Sequence, residues 1–363
     1  MKQNFLINIL VVVFFLTTSI VLNAKTLQPV YYDAPEANAL RLVEMTDEVT
    51  SFFALYEHAM LKVNEGAELS DYFVLENAED PTDSVSHLLG NIKYDQGTPY
   101  NDLCPMINGR RAVTGCIATA MAQIMRYYSY PAVGVGQVTY TGSNGAKTIN
   151  LGDYSFDWNL ILNEYTRSYS NEQGEAVAKV MLACGAALNM NYSADGSGSN
   201  IDKAMKAFKD NFGYSKDIEY YDSTGDYDPE GLILYDWAPV IREQHRKGYP
   251  VLYAGSPASG KSGHAFVIDG YKVIDGVYYY HVNWGWSGAY NGYYLIMNLN
   301  PEGENYAGYG CDMVINIHPD GWTDLEDVVV PNVGNNKSYN LLGVEVDENY
   351  KGIVIKNGQK YIQ

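Results

Sequence analysis

Cys116 lies in the run Ala112-Val113-Thr114-Gly115-Cys116-Ile117-Ala118-Thr119-Ala120-Met121-Ala122-Gln123-Ile124-Met125-Arg126-Tyr127-Tyr128, whose large apolar residues at 117, 121, 124, 125 and 128 trace one face of a helix. Gly115 and Thr114 precede that periodicity, so Cys116 falls at the helix N-terminus. There, free backbone N–H groups and the positive end of the helix dipole favour a thiolate. That is the setting of a nucleophile. It is equally a place for a small inert cysteine to pack beneath a helix, because free cysteine is among the most buried residue types. The segment alone does not decide between the two.

A thiol nucleophile needs a base within hydrogen-bond reach and a third group that holds the base in the right tautomer. Six histidines compete for the role of base. His58 belongs to the leading segment, His87 to a loop, His245 to a helix with Arg242 and Arg246 that reads as exposed, and His318 precedes Pro319. His264 opens the apolar run Ala265-Phe266-Val267-Ile268 after a loop containing Ser262 and Gly263, where an imidazole can face a cleft. His281, in Tyr280-His281-Val282-Asn283-Trp284-Gly285-Trp286, is its rival. His264 lies 148 residues after Cys116 and Asn283 lies 167 after it, against roughly 130–150 for the His and Asn that follow the cysteine in papain-like enzymes. The Asp275-Gly276 pair is a hairpin turn signal. A regular hairpin about it would leave Asn283 roughly 13 Å from His264. A bulge or loop of four extra residues near 269–272 would bring the two level.

The elements that must position these side chains are legible in outline. Helices are expected from Cys116 to Tyr128 and near 175–188, and strands at 264–273 and 277–284. Helices in the first half and an antiparallel sheet in the second predict an α+β fold with a cleft between them. The chain has 363 residues, is 47% hydrophobic and carries a formal charge of −19. Its size supports a substantial core, and its charge repels nucleic acid. Lys2, the apolar run 5–22 and Ala24 read as a cleavable signal peptide over 1–24, so the expected destination is secreted, extracellular or periplasmic and cell-surface, with no membrane contact beyond the signal. Residues 25–81 form a leading segment with a helix expected over 40–63 and the acidic hinge Glu76-Asn77-Ala78-Glu79-Asp80-Pro81. The main domain is expected over 82–320, and the tail over 321–363, with two short strands, reads as a terminal hairpin or as an export or anchoring tag. The Gly-rich stretch 301–310 reads as a flap over the cleft or an ordinary loop. Four cysteines, Cys104, Cys116, Cys184 and Cys311, are too few to staple the fold. Buried free thiols are favoured over a bridge from Cys104 to Cys184 or Cys311. No C-x-x-C or H-E-x-x-H motif signals a metal, and no cofactor is called for.

Four blocks in order resemble the streptopain family of papain-like cysteine peptidases. They are Tyr94-Asp95-Gln96-Gly97-Thr98-Pro99-Tyr100-Asn101, Gly115 to Met125, Gly263-His264-Ala265-Phe266-Val267-Ile268-Asp269-Gly270, and Tyr280 to Trp286. The resemblance spans about 82–318. It implies a papain-like fold of two subdomains and endopeptidase activity on protein or peptide substrates. It further implies maturation from a zymogen whose own propeptide is its inhibitor, and a preference for an apolar residue two before the scissile bond. By motif, Cys116 is the nucleophile, His264 the base and later acid, and Asn283 or Trp284 the group that orients or shields the imidazole. Gln96 then donates to the oxyanion beside the Cys116 N–H, Gly263 lines the substrate cleft, and His281 is structural. The leading segment is shorter than the family's inhibitory prodomain, and the tail after about 320 is an addition. A papain-like acyl transferase or amidase would use the same Cys and His, and a non-catalytic binding or immunity protein on this fold would be expected to have lost at least one of these side chains.

Overall fold

The computed structural model describes residues 78–322, apart from 143–144, 224–231, 258–262, 302–303 and 308, together with the strands between 338 and 362. The expected signal peptide, the helix over 40–63 and nearly all of the leading segment lie outside the described residues. Among those described, no helix is long and apolar enough to cross a membrane.

Strand β1 (Ser84–Val85) is followed by the small hairpin of β2 (Met106–Ile107) and β3 (Arg110–Arg111), then helix α1 (Cys116–Tyr128). Next come the hairpin β4 (Gln137–Gly142) and β5 (Gly145–Asn150), helices α2 (Asn171–Ala187) and α3 (Asp202–Asn211), strand β6 (Glu219–Asp222) and helix α4 (Leu232–Arg246). The second half supplies β7 (Val251–Ser256), β8 (His264–Ile274), β9 (Val277–Asn283), β10 (Gly292–Tyr294) and β11 (Tyr309–Ile315). Strands pair antiparallel in the order β10-β9-β8-β7-β11-β6, and β1 adds to β8 beyond the end of β7.

The apolar runs of β7 and β8 are continuous because both faces of the sheet are covered. On one face Leu252, Ala265, Val267 and Val314 join the core of α1, α2 and α3. On the other, Val251, Tyr253, Phe266 and Ile268 pack with Trp237, Ala238 and Ile241 of α4. Helix α1 lies inside the first core. Sequence periodicity predicted one apolar face, but small residues such as Ala118, Ala120 and Ala122 allow neighbours to close on every side, and Cys116 and Arg126 alone escape full burial. Helix α2 starts at Asn171, four residues earlier than expected, because Ser170 and Gln173 form a capping box.

The hairpin β8–β9 turns at Asp275 and Gly276, both at positive φ (49° and 81°), as an Asp-Gly turn of this kind requires. Its register corrects the sequence expectation of four extra residues. Ile268 faces Val282 and Gly270 faces His281, so a one-residue bulge at Asp269 is all that the strand inserts, and Asn283 pairs with Val267 rather than with His264. The bulge has its own use. The Asp269 carbonyl accepts from the Leu88 N–H at 2.6 Å, and its buried carboxylate accepts from Leu89 N–H at 2.8 Å and pairs with His281 Nδ1 at 2.6 Å. The strap 83–89 is thereby tied to the sheet. Asp83 anchors its beginning, accepting from the hydroxyls of Tyr271 (2.7 Å) and Tyr278 (2.8 Å) and pairing with Arg246 (2.8 Å).

His245, expected on an exposed helix face, is fully buried. Its Nε2 donates to the Ile268 carbonyl at 3.0 Å, since that carbonyl can only accept. Its charged neighbours are no guide to exposure here: the guanidinium of Arg242 lies 4.0 Å over the Tyr278 ring and that of Arg246 lies 5.7 Å over Tyr271. The tail forms a separate four-stranded sheet rather than two strands. The two expected strands, over 339–344 and 351–355, overlap β12 (Ser338–Asn340) and β14 (Ile353–Lys356), which pair with each other, and each gains an outer partner beyond its expected bounds, β13 (Glu345–Val346) on β12 and β15 (Gln359–Ile362) on β14.

Gly270 lets the strap approach the bulge, since a Cβ there would sit 2.8 Å from the Val85 carbonyl oxygen and from the His87 Cα. Gly270→Ala is therefore expected to destabilise the protein by about 1–3 kcal/mol through overpacking against backbone. Urea denaturation checks this, and an unchanged midpoint contradicts it.

Candidate active site

Cys116 is the first residue of α1, at a helix end that no side chain caps. Gly115 is the N-cap at φ 87°, and the first turn holds no acidic residue. Glycine is required at 115 twice over. The positive φ favours it, and a Cβ would meet the Met190 Cε at 2.7 Å and the Ser197 carbonyl at 3.1 Å. Burial pushes the Cys116 thiol up, and backbone hydrogen bonds from Ala265, Ile117 and Cys116 itself work against that rise. The Ala265 contact places the sulfur against the start of β8, beside His264.

His264 is the first residue of β8 and is 8% exposed. Its Nε2 lies 2.8 Å from the Trp284 carbonyl. A carbonyl only accepts, so Nε2 carries the proton and Nδ1 is left with a lone pair. The ring stacks on Trp286 (centroids 4.6 Å, planes 26° apart), with Trp284, Phe266 and Tyr306 at 6.3, 6.1 and 5.8 Å. This aromatic box pushes the imidazole down to about 4 by burial, opposed by the bond to Trp284.

Asn283 closes β9 and is buried, but its amide faces away from the imidazole. Nδ2 donates to the Ile92 carbonyl at 2.7 Å, and Oδ1 accepts from the Gly285 N–H at 3.2 Å. The second bond folds the chain back at Trp284 and, with Gly285 at φ 72°, fixes the carbonyl that meets His264. The Trp284 carbonyl is thus the hydrogen-bond partner of the imidazole, and the indole of that residue lies nearly parallel to the ring.

Gln96 is half-buried, and its carbonyl accepts from the N–H of Thr114, two residues before Cys116, at 3.2 Å. Gly263 is exposed and precedes His264; a Cβ on it would strike the Ser256 Oγ at 2.5 Å. His281, the rival base, is held by Asp269 and stacked on His87 at 4.6 Å. Sequence reasoning named neither Trp286 nor Tyr306 at the imidazole. The Trp-Gly-Trp spacing in the last motif was the available signal for Trp286, and nothing local pointed to Tyr306. Residues 304–307 are pinned, Tyr306 N–H to the Leu299 carbonyl and the Asn305 side chain to Leu299, Ala307 and Met297. Among the described residues no group of three or more His, Cys, Asp or Glu could hold a metal ion.

The family described as the Peptidase C10 family matches residues 94–294, a stretch that contains Cys116, His264 and Asn283. The chain belongs to the peptidase C10 family. Similar relatives include streptopain from Streptococcus pyogenes serotype M1, 35% identical over 235 residues that cover 60% of this chain and 56% of streptopain. Another is the thiol protease/hemagglutinin PrtT of Porphyromonas gingivalis, 33% identical over 297 residues, 76% of this chain and 33% of that protein. The chain thus spans just over half the length of streptopain and a third of PrtT. Among solved structures, the active wild-type interpain A cysteine protease of Prevotella intermedia superposes with a TM-score of 0.56 at 36% identity, covering 64% of this chain and 94% of that one. A mutant fragment of prointerpain A from the same organism gives 0.56 at 31% identity, covering 74% and 84%. The C10 chain is therefore a papain-like α+β protein, as its motifs implied.

Buried histidines give this C10 domain a pH signature. His264 and His245 are both pushed down to about 4 by burial. The folded state then binds fewer protons than the unfolded chain, so their stabilisation is complete above about pH 6.5 and is lost as the pH falls toward 4. Asp312, which faces Asp222 across β11 and β6, is pushed up to about 7 by burial and opposes this slope, because its contribution is lost as the pH rises through 7. Two histidines outweigh one carboxyl. The urea midpoint is expected to rise from pH 4.5 to 6.5, with a smaller slope in His245→Gln; a midpoint flat over that range contradicts the assignment.

Proposed function

We propose that this chain is a secreted cysteine endopeptidase made as a zymogen, with Cys116 as nucleophile and His264 as base. The observation that carries the reading is a cysteine at the uncapped N-terminus of a buried helix, its sulfur against the backbone of Ala265, next in the chain to an imidazole whose tautomer is set by a backbone carbonyl. With Nε2 protonated, Nδ1 takes the thiol proton. The thiolate attacks the scissile carbonyl, and the Cys116 N–H and the Gln96 side chain receive the oxyanion. The imidazolium then passes its proton to the leaving amine, and water, deprotonated by Nδ1, hydrolyses the thioester and restores the thiol. The indoles of Trp284 and Trp286 keep bulk water from the His264–Trp284 bond, which strengthens it. Gly263, exposed at the residue before His264, is the proposed lining of the substrate cleft; the lack of a Cβ also lets it pack against Ser256 and Gly255 of β7.

Secretion and zymogen maturation are supported by the signal-like run 5–22 and by the existence of a pro form of a relative, prointerpain A. The strap from Asp83 onward is knitted into the sheet, whereas Glu79, Asp80, Pro81 and Thr82 are exposed. The removable segment accordingly ends before Asp83.

The test compares residues 25–363 as wild type and as Cys116→Ala under reducing conditions, following mass and casein cleavage. The wild type should shorten to a new N-terminus at or before Asp83 and digest casein, and Cys116→Ala should do neither; identical behaviour of the two removes the reading. The acid limb of kcat/KM on a small peptide is expected near pH 4, where Nδ1 would become protonated. A limb centred at 6.5 argues against an imidazole in this buried state.

A further inference from the structure

Asp95, the residue before Gln96, has a carboxylate that links two distant parts of the chain. Its Oδ1 accepts from the N–H of Gln96 at 2.6 Å and of Gly97 at 3.1 Å. These two bonds alone would make it an ordinary turn residue. Its Oδ2, however, accepts from the hydroxyl of Ser287 at 2.7 Å, 192 residues further along. Ser287 belongs to the loop that carries Trp284 and Trp286, and it holds a left-handed φ of 54°, which is uncommon for a serine. Its two donors meet adjacent residues, the hydroxyl at Asp95 and the N–H at the Tyr94 carbonyl at 2.8 Å. The loop is tight against this segment: a Cβ on Gly288 would lie 2.7 Å from the Lys93 side chain.

We infer that Asp95 and Ser287 form a latch that positions Gln96, so that the group proposed to receive the oxyanion and the loop that orients His264 are held in one geometry. The inference rests on the cysteine peptidase reading given above. Neither residue touches the substrate or the reacting atoms; both act through Gln96 and the Trp284 loop. The rest of the segment is fixed independently, by Asn283 at Ile92, by the Gln123 Oε1 at the Tyr94 N–H (3.2 Å) and by Thr114 at the Gln96 carbonyl. Loss of the latch therefore leaves the fold in place and loosens the peptide plane that precedes the Gln96 side chain. Displacement of a catalytic group by about 1 Å can cost on the order of 100-fold in rate.

The experiment is a double-mutant cycle on the full chain after maturation, using a fluorogenic peptide with an apolar residue two before the scissile bond and active-site titration to count working enzyme. Asp95→Ala is expected to lower kcat by about 10- to 100-fold with KM within about twofold, since the lost interaction acts in the transition state. In a Gln96→Ala background the same change should have almost no further effect, because the group being positioned is already gone. Asp95→Asn retains an oxygen for the two N–H groups and offers an amide to the Ser287 hydroxyl, and should recover most of the rate. Ser287→Ala, which cuts the cross-link but keeps the local turn, should show a smaller loss of kcat that also disappears with Gln96→Ala, and it carries the same cycle if Asp95→Ala fails to fold. If Gln96→Ala lowers kcat while the latch variants add their losses to it in full, or change KM alone, the latch is overturned and the peptidase reading survives. If Gln96→Ala keeps full kcat, the oxyanion assignment falls and the latch with it.

Discussion

The hydrogen bond from His264 Nε2 to the Trp284 carbonyl determines what the neighbouring elements must supply. It selects one tautomer and one ring orientation, and it does so with a backbone group that has no rotamer to lose. To present that carbonyl, the chain must leave β9 immediately after Asn283 and reverse, which Gly285 permits and Asn283 Oδ1 enforces. The indoles of Trp284 and Trp286 then cover the ring. A carbonyl is a weaker electrostatic partner than a carboxylate, so little offsets the burial of the imidazole and it stays neutral far below its usual range.

The sheet accommodates this with a small irregularity. One skipped residue at Asp269 changes which residues of β8 face β9, and the freed backbone and side chain of Asp269 capture the strap at Leu88 and Leu89. The same bulge therefore sets the hairpin register on one edge and fastens the strap on the other. Covering both faces of β8 makes this costly to disturb, because a one-residue slip would exchange Ala265 and Val267 with Phe266 and Ile268 between two cores of different shape.

The parts of the site encoded by local chemistry were legible in the sequence. The bounds of α1 from Cys116 to Tyr128 followed from Gly115 and the apolar spacing, and the Asp275-Gly276 turn from its dipeptide. The free, buried thiols agreed with the preference of cysteine for cores. What was not legible depends on chain segments that meet only after folding. A bulge of four residues is what bringing Asn283 level with His264 would need, and of the two residues that could orient the imidazole it is Trp284 that bonds it. A carbonyl leaves no trace in a sequence, and Trp284 supplies it from beyond the strand end. His245 looked exposed beside Arg242 and Arg246 because charged residues usually mark solvent, yet both guanidiniums lie over tyrosine rings. The Asp95–Ser287 contact joins residues that no periodicity relates.

The distribution of sulfur has a consequence of its own. Cys104 and Cys311 are buried and pushed up to about 12, and Cys184 is buried, driven higher still, with its sulfur 3.4 Å from that of Met125. Cys116 alone of the four is partly rather than fully buried. An alkylating reagent or a peroxide meeting the folded protein thus finds one thiol to modify. The redox state of the surroundings would be read out at that sulfur alone, with no disulfide elsewhere to be scrambled and no structural cysteine damaged in the process.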